Sequence, residues 1–164
     1  MSYPPLNADE RTTLTAFLDA YRADVLSRLD RVTPSQAAAH LLPGTDMTIG
    51  GIVKHLAQME DLWFTHKLLG HDFPLPWAAL ASPSDETWAW ASAAASDSID
   101  ELRALYTTAC DRGPAAVASL STLDDRAALI AFRKEHVNLR WMLVHMISET
   151  AQHVGHLDLL MDAL

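Results

Sequence analysis

Apolar residues recur at three- and four-residue steps along four long segments, and this spacing constrains the fold more than any other feature of the sequence. The second segment runs from about Thr48 to Leu69, the third from Ser98 to about Arg112, and the fourth from about Val137 to the end. The period is that of one face of an α-helix, so we predict four helices. In the first segment, from about Asp9 to Leu29, the apolar positions are Leu14, Phe17, Leu18, Tyr21, Val25, Leu26 and Leu29.

Capping residues predict where three of these helices begin. Asn7 with Glu10 three residues later predicts a capping box for the first helix, and Ser98 with Glu101 predicts one for the third. Thr48 is a suitable N-cap for the second helix.

Glycine and proline mark the ends and the connections. Gly70 is expected to end the second helix, and the third either ends near Arg112 or continues past Gly113 and Pro114 with a kink. Residues 121–135 fit a strand or a loop. The stretch from His71 to Trp90 is rich in proline and is predicted to be irregular. The role of residues 71–97 stays open. The tryptophans of this stretch would cover a pocket or a dimer contact; they are Trp77, Trp88 and Trp90.

Four helices of about 20 residues with medium-length connections fit an all-α four-helix bundle with longer interhelix loops. The 164 residues have the length of one domain and contain no evident linker or repeat, so we predict a single domain over residues 1–164.

Charge and composition exclude several classes of function. The formal net charge is −9 and the 12 lysines and arginines are scattered, which disfavours nucleic acid and anionic membranes as partners. No apolar stretch has the roughly 18 residues of a membrane span. Cys110 is the single cysteine, so neither an internal disulfide nor a thiolate-rich zinc site is expected. The amino terminus lacks a signal-peptide pattern, and we expect a cytoplasmic protein.

The fourth predicted helix has four polar residues with the chemistry of metal ligands: His145, Glu149, His153 and His156. At about 100° per residue they lie within an arc of about 80° on one face. Glu149 and His153 are one turn apart, so a carboxylate and an imidazole project side by side and can bind one cation. Such mixed ligands suit zinc, iron, nickel or manganese.

The second helix provides a candidate third ligand, His55, on an apolar stretch. The alternatives remain open at this point: His55 as a hydrogen-bonded core histidine, and Glu149 with His153 as a solvated ion pair worth about 0.3–0.5 kcal/mol.

Five other residues have one or two interpretations each. His145 and His156 either orient ligands and line a pocket or are satisfied polar residues at the end of the bundle. Asp158 is placed to pair with either histidine. Trp63 either forms a wall of the site or belongs to the core. Cys110 is interpreted as a packed small residue.

Two blocks of sequence resemble the DinB-like superfamily, and within it the branch described as mycothiol transferases. They are Met47–Leu56 with Glu60–Phe64, and Leu139–Leu160. The resemblance implies a DinB/YfiT-like four-helix bundle whose metal is held by one histidine of the second helix and two ligands one turn apart on the last. It therefore implies ligation by His55, Glu149 and His153. Many members use three histidines; the set of two histidines and one glutamate is similar to the metal site of mycothiol-dependent maleylpyruvate isomerase.

The resemblance also implies a reaction. Three protein ligands leave a coordination position open, as in catalytic sites. The expected cofactor is one divalent ion, with zinc first and nickel, iron or manganese as alternatives. The expected use is activation of a low-molecular-weight thiol such as mycothiol or bacillithiol for attack on a small electrophile, in detoxification or stress response. A metal-dependent hydrolase with an activated water and a non-catalytic metal-binding bundle are the alternatives.

Two further expectations concern the whole molecule. The isomerase has an additional carboxy-terminal domain that contributes to catalysis, and this sequence stops at Leu164, so we do not expect that isomerase activity. Bundles of this kind often pair through their helices, and a homodimer is expected.

Overall fold

The computed structural model describes residues 3–74, 76–77, 97–131 and 133–164. The long helices are α1 (Glu10–Leu29), α3 (Ile49–Glu60), α4 (Ile99–Ala118) and α5 (Leu139–Asp162), and α2 is a single turn, Pro34–Ala37. A π-helical segment, Asp61–Leu68, continues α3 without a break. The predicted all-α fold is confirmed, and α2 is an element that the apolar spacing did not predict.

The start of α1 corrects one prediction. The N-cap is Asp9, whose carboxylate accepts a hydrogen bond of 3.0 Å from the backbone N–H of Thr12. The capping box expected between Asn7 and Glu10 is therefore wrong, because Glu10 is the first helical residue and not the third.

The other predicted caps are confirmed. The Thr48 hydroxyl accepts from the backbone N–H of Gly51 at 3.0 Å, which fixes the start of α3. Ser98 and Glu101 form the reciprocal capping box of α4. Each cap satisfies backbone donors that a helix start leaves without an intrahelical partner.

Helix α4 continues through Gly113 and Pro114 to Ala118, which settles the alternative that the sequence left open. A Cβ at Gly113 would lie 2.8 Å from Nη2 of Arg22, so a larger residue there would require the guanidinium to move. Arg22 donates to the Glu60 carboxylate at 2.7 and 2.5 Å, and this buried ion pair joins α1 to α3.

The helices pack in two main pairs, α1 against α5 and α3 against α4. Helices α3 and α5 also contact each other. Among the described residues, no helix combines the length and apolar character needed to span a membrane.

Two connections fall partly outside the described residues. Described residues between 121 and 135 form no strand; the bridge between Arg126 and Asn138 is isolated.

In the proline-rich stretch, Trp77 is fully buried and its indole N–H donates to the Asp61 carboxylate at 2.8 Å. The predictions for Trp88 and Trp90 lie outside the described residues.

Candidate metal centre

Helices α3 and α5 bring together the three ligands expected from the sequence. Nε2 of His55 lies 2.9 Å from Oε1 of Glu149, and Nε2 of His153 lies 3.3 Å from the same oxygen. The two imidazole centroids are 4.8 Å apart. One donor atom from each residue lies within 4.8 Å of the other two, so all three face a common point.

Local structure explains this convergence. Glu149 and His153 are four residues apart on α5, and side chains at that spacing lie one above the other. His55 occupies the middle of α3, between buried Ile52 and Leu56, so the packing of those two residues fixes the face on which it lies.

The Glu149 carboxyl group is ionised at neutral pH. Hydrogen bonds from His153 and His55 hold its pKa well below the ordinary glutamate value, and they outweigh the opposing effect of burial. Its side chain is 21% exposed. The centre therefore has a fixed negative charge flanked by two imidazoles, which is a donor set suited to a divalent cation.

Two of the three distances between donor atoms are close to those found around a metal ion. Ligand atoms about 2.1 Å from a tetrahedral ion lie about 3.4 Å from one another. The two measured contacts to Glu149, 2.9 and 3.3 Å, are close to that separation. The donor atoms of His55 and His153 are bounded only by the 4.8 Å within which all three atoms lie, so the two rings would move toward each other when an ion binds. The kinds of donor atom present, two imidazoles and one carboxylate, suit a divalent ion.

His156 contacts one of the three candidate ligands. Its Nδ1 lies 3.3 Å from Nδ1 of His153, on the side of that ring away from Glu149. Burial and the neighbouring His153 lower the pKa of His156. Which of the two rings donates in this hydrogen bond depends on their tautomers. His153 therefore contacts His156 through Nδ1 and Glu149 through Nε2.

His145 lies one turn before Glu149 and contacts aromatic rings. Its ring stacks on Trp141 at 5.0 Å and meets the ring of Trp63 edge-on at 4.5 Å. Burial lowers the pKa of His145. Trp63 itself is 7% exposed and packs in a core cluster, so it is a core residue that also contacts His145. The contact with Trp141 is one that the sequence analysis missed.

Asp158 has a different role from the one expected. Its carboxylate accepts hydrogen bonds from Arg28, 2.6 Å from Nε and 3.0 Å from Nη2, and so connects α5 to α1. The expected pairing with His145 or His156 is wrong. Arg28 is 130 residues away in sequence, and no local pattern indicates the contact.

Gln58 is a polar residue near the centre that the sequence analysis did not single out. It lies three residues after His55 on α3, and it is fully buried. Neither its amide nitrogen nor its amide oxygen has a hydrogen-bond partner in the described structure. A buried amide without hydrogen bonds lowers the free energy of unfolding by about 1–3 kcal/mol.

Two other features lie apart from the centre. Burial raises the pKa of the Cys110 thiol, which agrees with a packed residue and not a nucleophile. A cavity of about 400 Å³ between α1, α4 and α5 has both polar and apolar walls, including Arg11, Leu18 and Leu143. None of the three candidate ligands lines that cavity.

Comparison with known proteins identifies a similar fold and a family. The crystal structure of the mycothiol-dependent maleylpyruvate isomerase is similar in fold, with a TM-score of 0.60 and 19% sequence identity over 87% of this chain. The aligned region spans 57% of the isomerase chain. No curated protein sequence matches the chain. The sequence model of the mycothiol S-transferase family matches residues 13–164. The chain therefore belongs to the mycothiol S-transferase family, the thiol-transferase branch of the DinB-like proteins.

Proposed function

We propose that this protein is a metal-dependent thiol S-transferase whose divalent ion is held by His55, Glu149 and His153. The observation that carries the proposal is the convergence of three donor atoms from two helices, within 4.8 Å of one another, in a chain of the mycothiol S-transferase family. The thiol cosubstrate that the family name suggests is mycothiol, and bacillithiol is the second choice.

The ion has a defined chemical use in this reaction. When bound, a divalent cation with an open position lowers the pKa of a thiol that occupies it, so that the nucleophilic thiolate is available at neutral pH. Zinc is the first choice because imidazole and carboxylate ligands in a set of three suit it; nickel, iron and manganese are the alternatives.

The residues of the chain have separate roles in this proposal. Glu149 supplies one negative charge, so that a divalent ion in the centre keeps a net positive charge that attracts a thiolate. His55 and His153 bind as neutral imidazoles through Nε2. His156 holds the far side of His153, and such supporting contacts commonly change metal affinity by about 10- to 100-fold.

The proposal extends to the setting of the protein. We propose a cytoplasmic enzyme that conjugates a low-molecular-weight thiol to a small electrophile in detoxification or stress response. A homodimer is part of the same proposal.

A conjugation assay tests this function. Untagged protein is incubated with mycothiol and monochlorobimane, with and without chelator, beside the His55→Ala variant. His40→Ala is the matched control, because His40 is exposed and lies outside the centre. We expect conjugation that is lost with chelator and in His55→Ala but is retained in His40→Ala. No metal-dependent conjugation with mycothiol or bacillithiol would contradict the transferase, and chelator-sensitive hydrolysis in its place would favour the hydrolase.

A further inference from the structure

The cavity of about 400 Å³ between α1, α4 and α5 has the size of a small-molecule site. Three of the apolar side chains that line it, Leu18, Phe64 and Leu143, are each at most 2% exposed. They belong to the core, so their positions are fixed by packing on their other sides. The cavity therefore offers a preformed apolar surface to the body of a ligand.

Two residues that weaken a helix interior line the same cavity from α4. Gly113 has no side chain, and a Cβ there would lie 3.6 Å from the ring of Phe64. Pro114 has no backbone N–H, so α4 loses one of its internal hydrogen bonds at this point. Both residues have a lower helix propensity than alanine. Departures from local preference are expected at functional sites, and this one shapes one side of the cavity.

The polar lining comes from α1, and most of its charge is compensated within the protein. Arg22 donates through Nη1 to Asp19 at 2.8 Å, and through Nε and Nη2 to Glu60 at 2.7 and 2.5 Å. All of its donor nitrogens are therefore engaged with carboxylates. Asp19 lines the cavity too, but its side chain is 61% exposed, so water and salt screen its charge.

Arg11 differs from Arg22, because no carboxylate in the part of the chain that the structure describes accepts a hydrogen bond from it. Its Nη1 donates to the backbone carbonyl oxygen of Val117 at 3.0 Å, and its Nη2 is buried without a partner in the same part of the chain. The charge of Arg11 acts on Asp125, but that carboxylate accepts its hydrogen bonds from Ser121 and Thr122. A guanidinium is always charged, and a buried donor without an acceptor lowers stability.

The cavity is separate from the candidate metal centre. Leu143 lies six residues before Glu149 on α5. That spacing corresponds to about 9 Å along the helix axis and about 120° around it. A ligand in the cavity would therefore contact a different face of α5 from the one that carries Glu149 and His153.

We propose that this cavity binds a small carboxylate with an apolar body. The carboxylate pairs with Arg11, and the body lies against Leu18, Phe64 and Leu143. A carboxylate is the acceptor that suits a guanidinium best, since both groups are charged and their shapes match. It gives Nη2 the partner that it lacks, after a turn of the guanidinium toward the cavity. The metal centre takes no part in this site, so the inference does not depend on the proposed transferase function.

Three ligands with the same alkyl chain test the proposal on the wild-type protein: hexanoate, hexan-1-ol and hexylamine. Each is titrated while the amide NMR shifts of Val117 and Leu143 are followed. We expect a Kd of about 1 mM or below for hexanoate and a value at least about tenfold higher for hexan-1-ol, as one charge-assisted hydrogen bond predicts. Hexylamine should bind most weakly, because its charge has the same sign as that of Arg11.

Substitution of Arg11 tests which residue recognises the carboxylate. In Arg11→Met, hexanoate should bind as weakly as hexan-1-ol. Arg31→Met is the matched control, because Arg31 is exposed and does not line the cavity. Its Kd for hexanoate should stay within about twofold of the wild-type value. The comparison of the three ligands needs no substitution, so it decides the proposal even if Arg11→Met does not fold.

A carboxylate also binds metal ions, so His55→Ala is titrated with hexanoate as well. An unchanged Kd supports the cavity, whereas loss of binding would place hexanoate at the metal centre and overturn the proposal. It is also overturned if wild type does not bind hexanoate, if hexanoate and hexan-1-ol bind equally, or if folded Arg11→Met keeps the preference for hexanoate. Absence of thiol conjugation would contradict the transferase and would leave these binding results unchanged.

Discussion

His55 and Glu149 are 94 residues apart in the sequence, and Nε2 of one lies 2.9 Å from Oε1 of the other. This contact joins the middle of α3 to the middle of α5. Because α5 packs mainly on α1 and α3 mainly on α4, the contact connects the two helix pairs of the bundle. A cation at this position would therefore connect them as well.

The contact of His156 with His153 leads to the first prediction. In His156→Ala, the His153 ring loses the contact that directs Nε2 toward Glu149. We expect the affinity for zinc to fall by about 10- to 100-fold, with the helical content unchanged. Competition with a chromophoric chelator measures the affinity, and circular dichroism checks the fold. An affinity equal to that of wild type would show that His156 does not position the ligand.

The close approach of Gly113 to Arg22 gives a second prediction. Gly113→Ala places a methyl group 2.8 Å from Nη2 of Arg22, and the guanidinium cannot withdraw without losing Glu60. We expect the free energy of unfolding to fall by about 1–3 kcal/mol. In the Arg22→Met background, Gly113→Ala should lower the free energy of unfolding by less, because the added methyl group no longer meets a guanidinium. Urea unfolding of the two single variants and the double variant measures the difference, and strictly additive effects would contradict the account.

The ion pair of Asp158 with Arg28 predicts a dependence of stability on pH. The Arg28 hydrogen bonds lower the pKa of Asp158, so its contribution is present above the ordinary aspartate value of 3.8 and is lost as pH falls toward the lowered value. We expect Asp158→Asn to be less stable than wild type at pH 7, by no more than about 1 kcal/mol because the pair is exposed. The difference in the free energy of unfolding should narrow as the pH falls below 3.8.

Asp162→Asn is the control for that experiment. Asp162 is exposed on the same helix and forms no ion pair within the described ranges. Its substitution should leave the unfolding curve unchanged at both pH values. A constant gap between wild type and Asp158→Asn from pH 7 to pH 3 would exclude the ion pair as its cause.

The orphaned amide of Gln58 leads to a prediction of increased stability. Gln58→Met keeps the length of the side chain and removes two buried polar atoms that have no partner in the described structure. We expect the free energy of unfolding to rise by about 1 kcal/mol, because the desolvation cost of the amide disappears. Thermal and urea unfolding measure the change. A loss of stability would mean that the amide makes a contact with bound water.

The long helices and the three candidate ligands can be predicted from the sequence. Helical spacing places Glu149 and His153 on one face, and His55 follows from the resemblance in two separate blocks. The start of α1 was missed because Asn7 and Asp9 both offer a capping oxygen, and only the three-dimensional structure distinguishes them. The partner of Asp158 was missed because it comes from α1, 130 residues away.

The π-helical segment could not be predicted either. Its residues, Asp61–Leu68, include no glycine or proline and continue the apolar pattern of α3. The wider turn coincides with a buried carboxylate at Asp61, which accepts hydrogen bonds of 2.8 Å from both Trp77 and Arg112. Those partners are distant in sequence, so the local pattern contains no sign of them.

Metal stoichiometry tests the central claim most directly. Untagged protein is purified in the presence of zinc, passed through a desalting column and measured by elemental analysis, beside His55→Ala and the exposed-histidine control His40→Ala. The account predicts about one divalent ion per chain in wild type and in His40→Ala, and less than a tenth of that in His55→Ala. An ion content in His55→Ala equal to that of wild type, or wild-type protein that retains no ion, would contradict it.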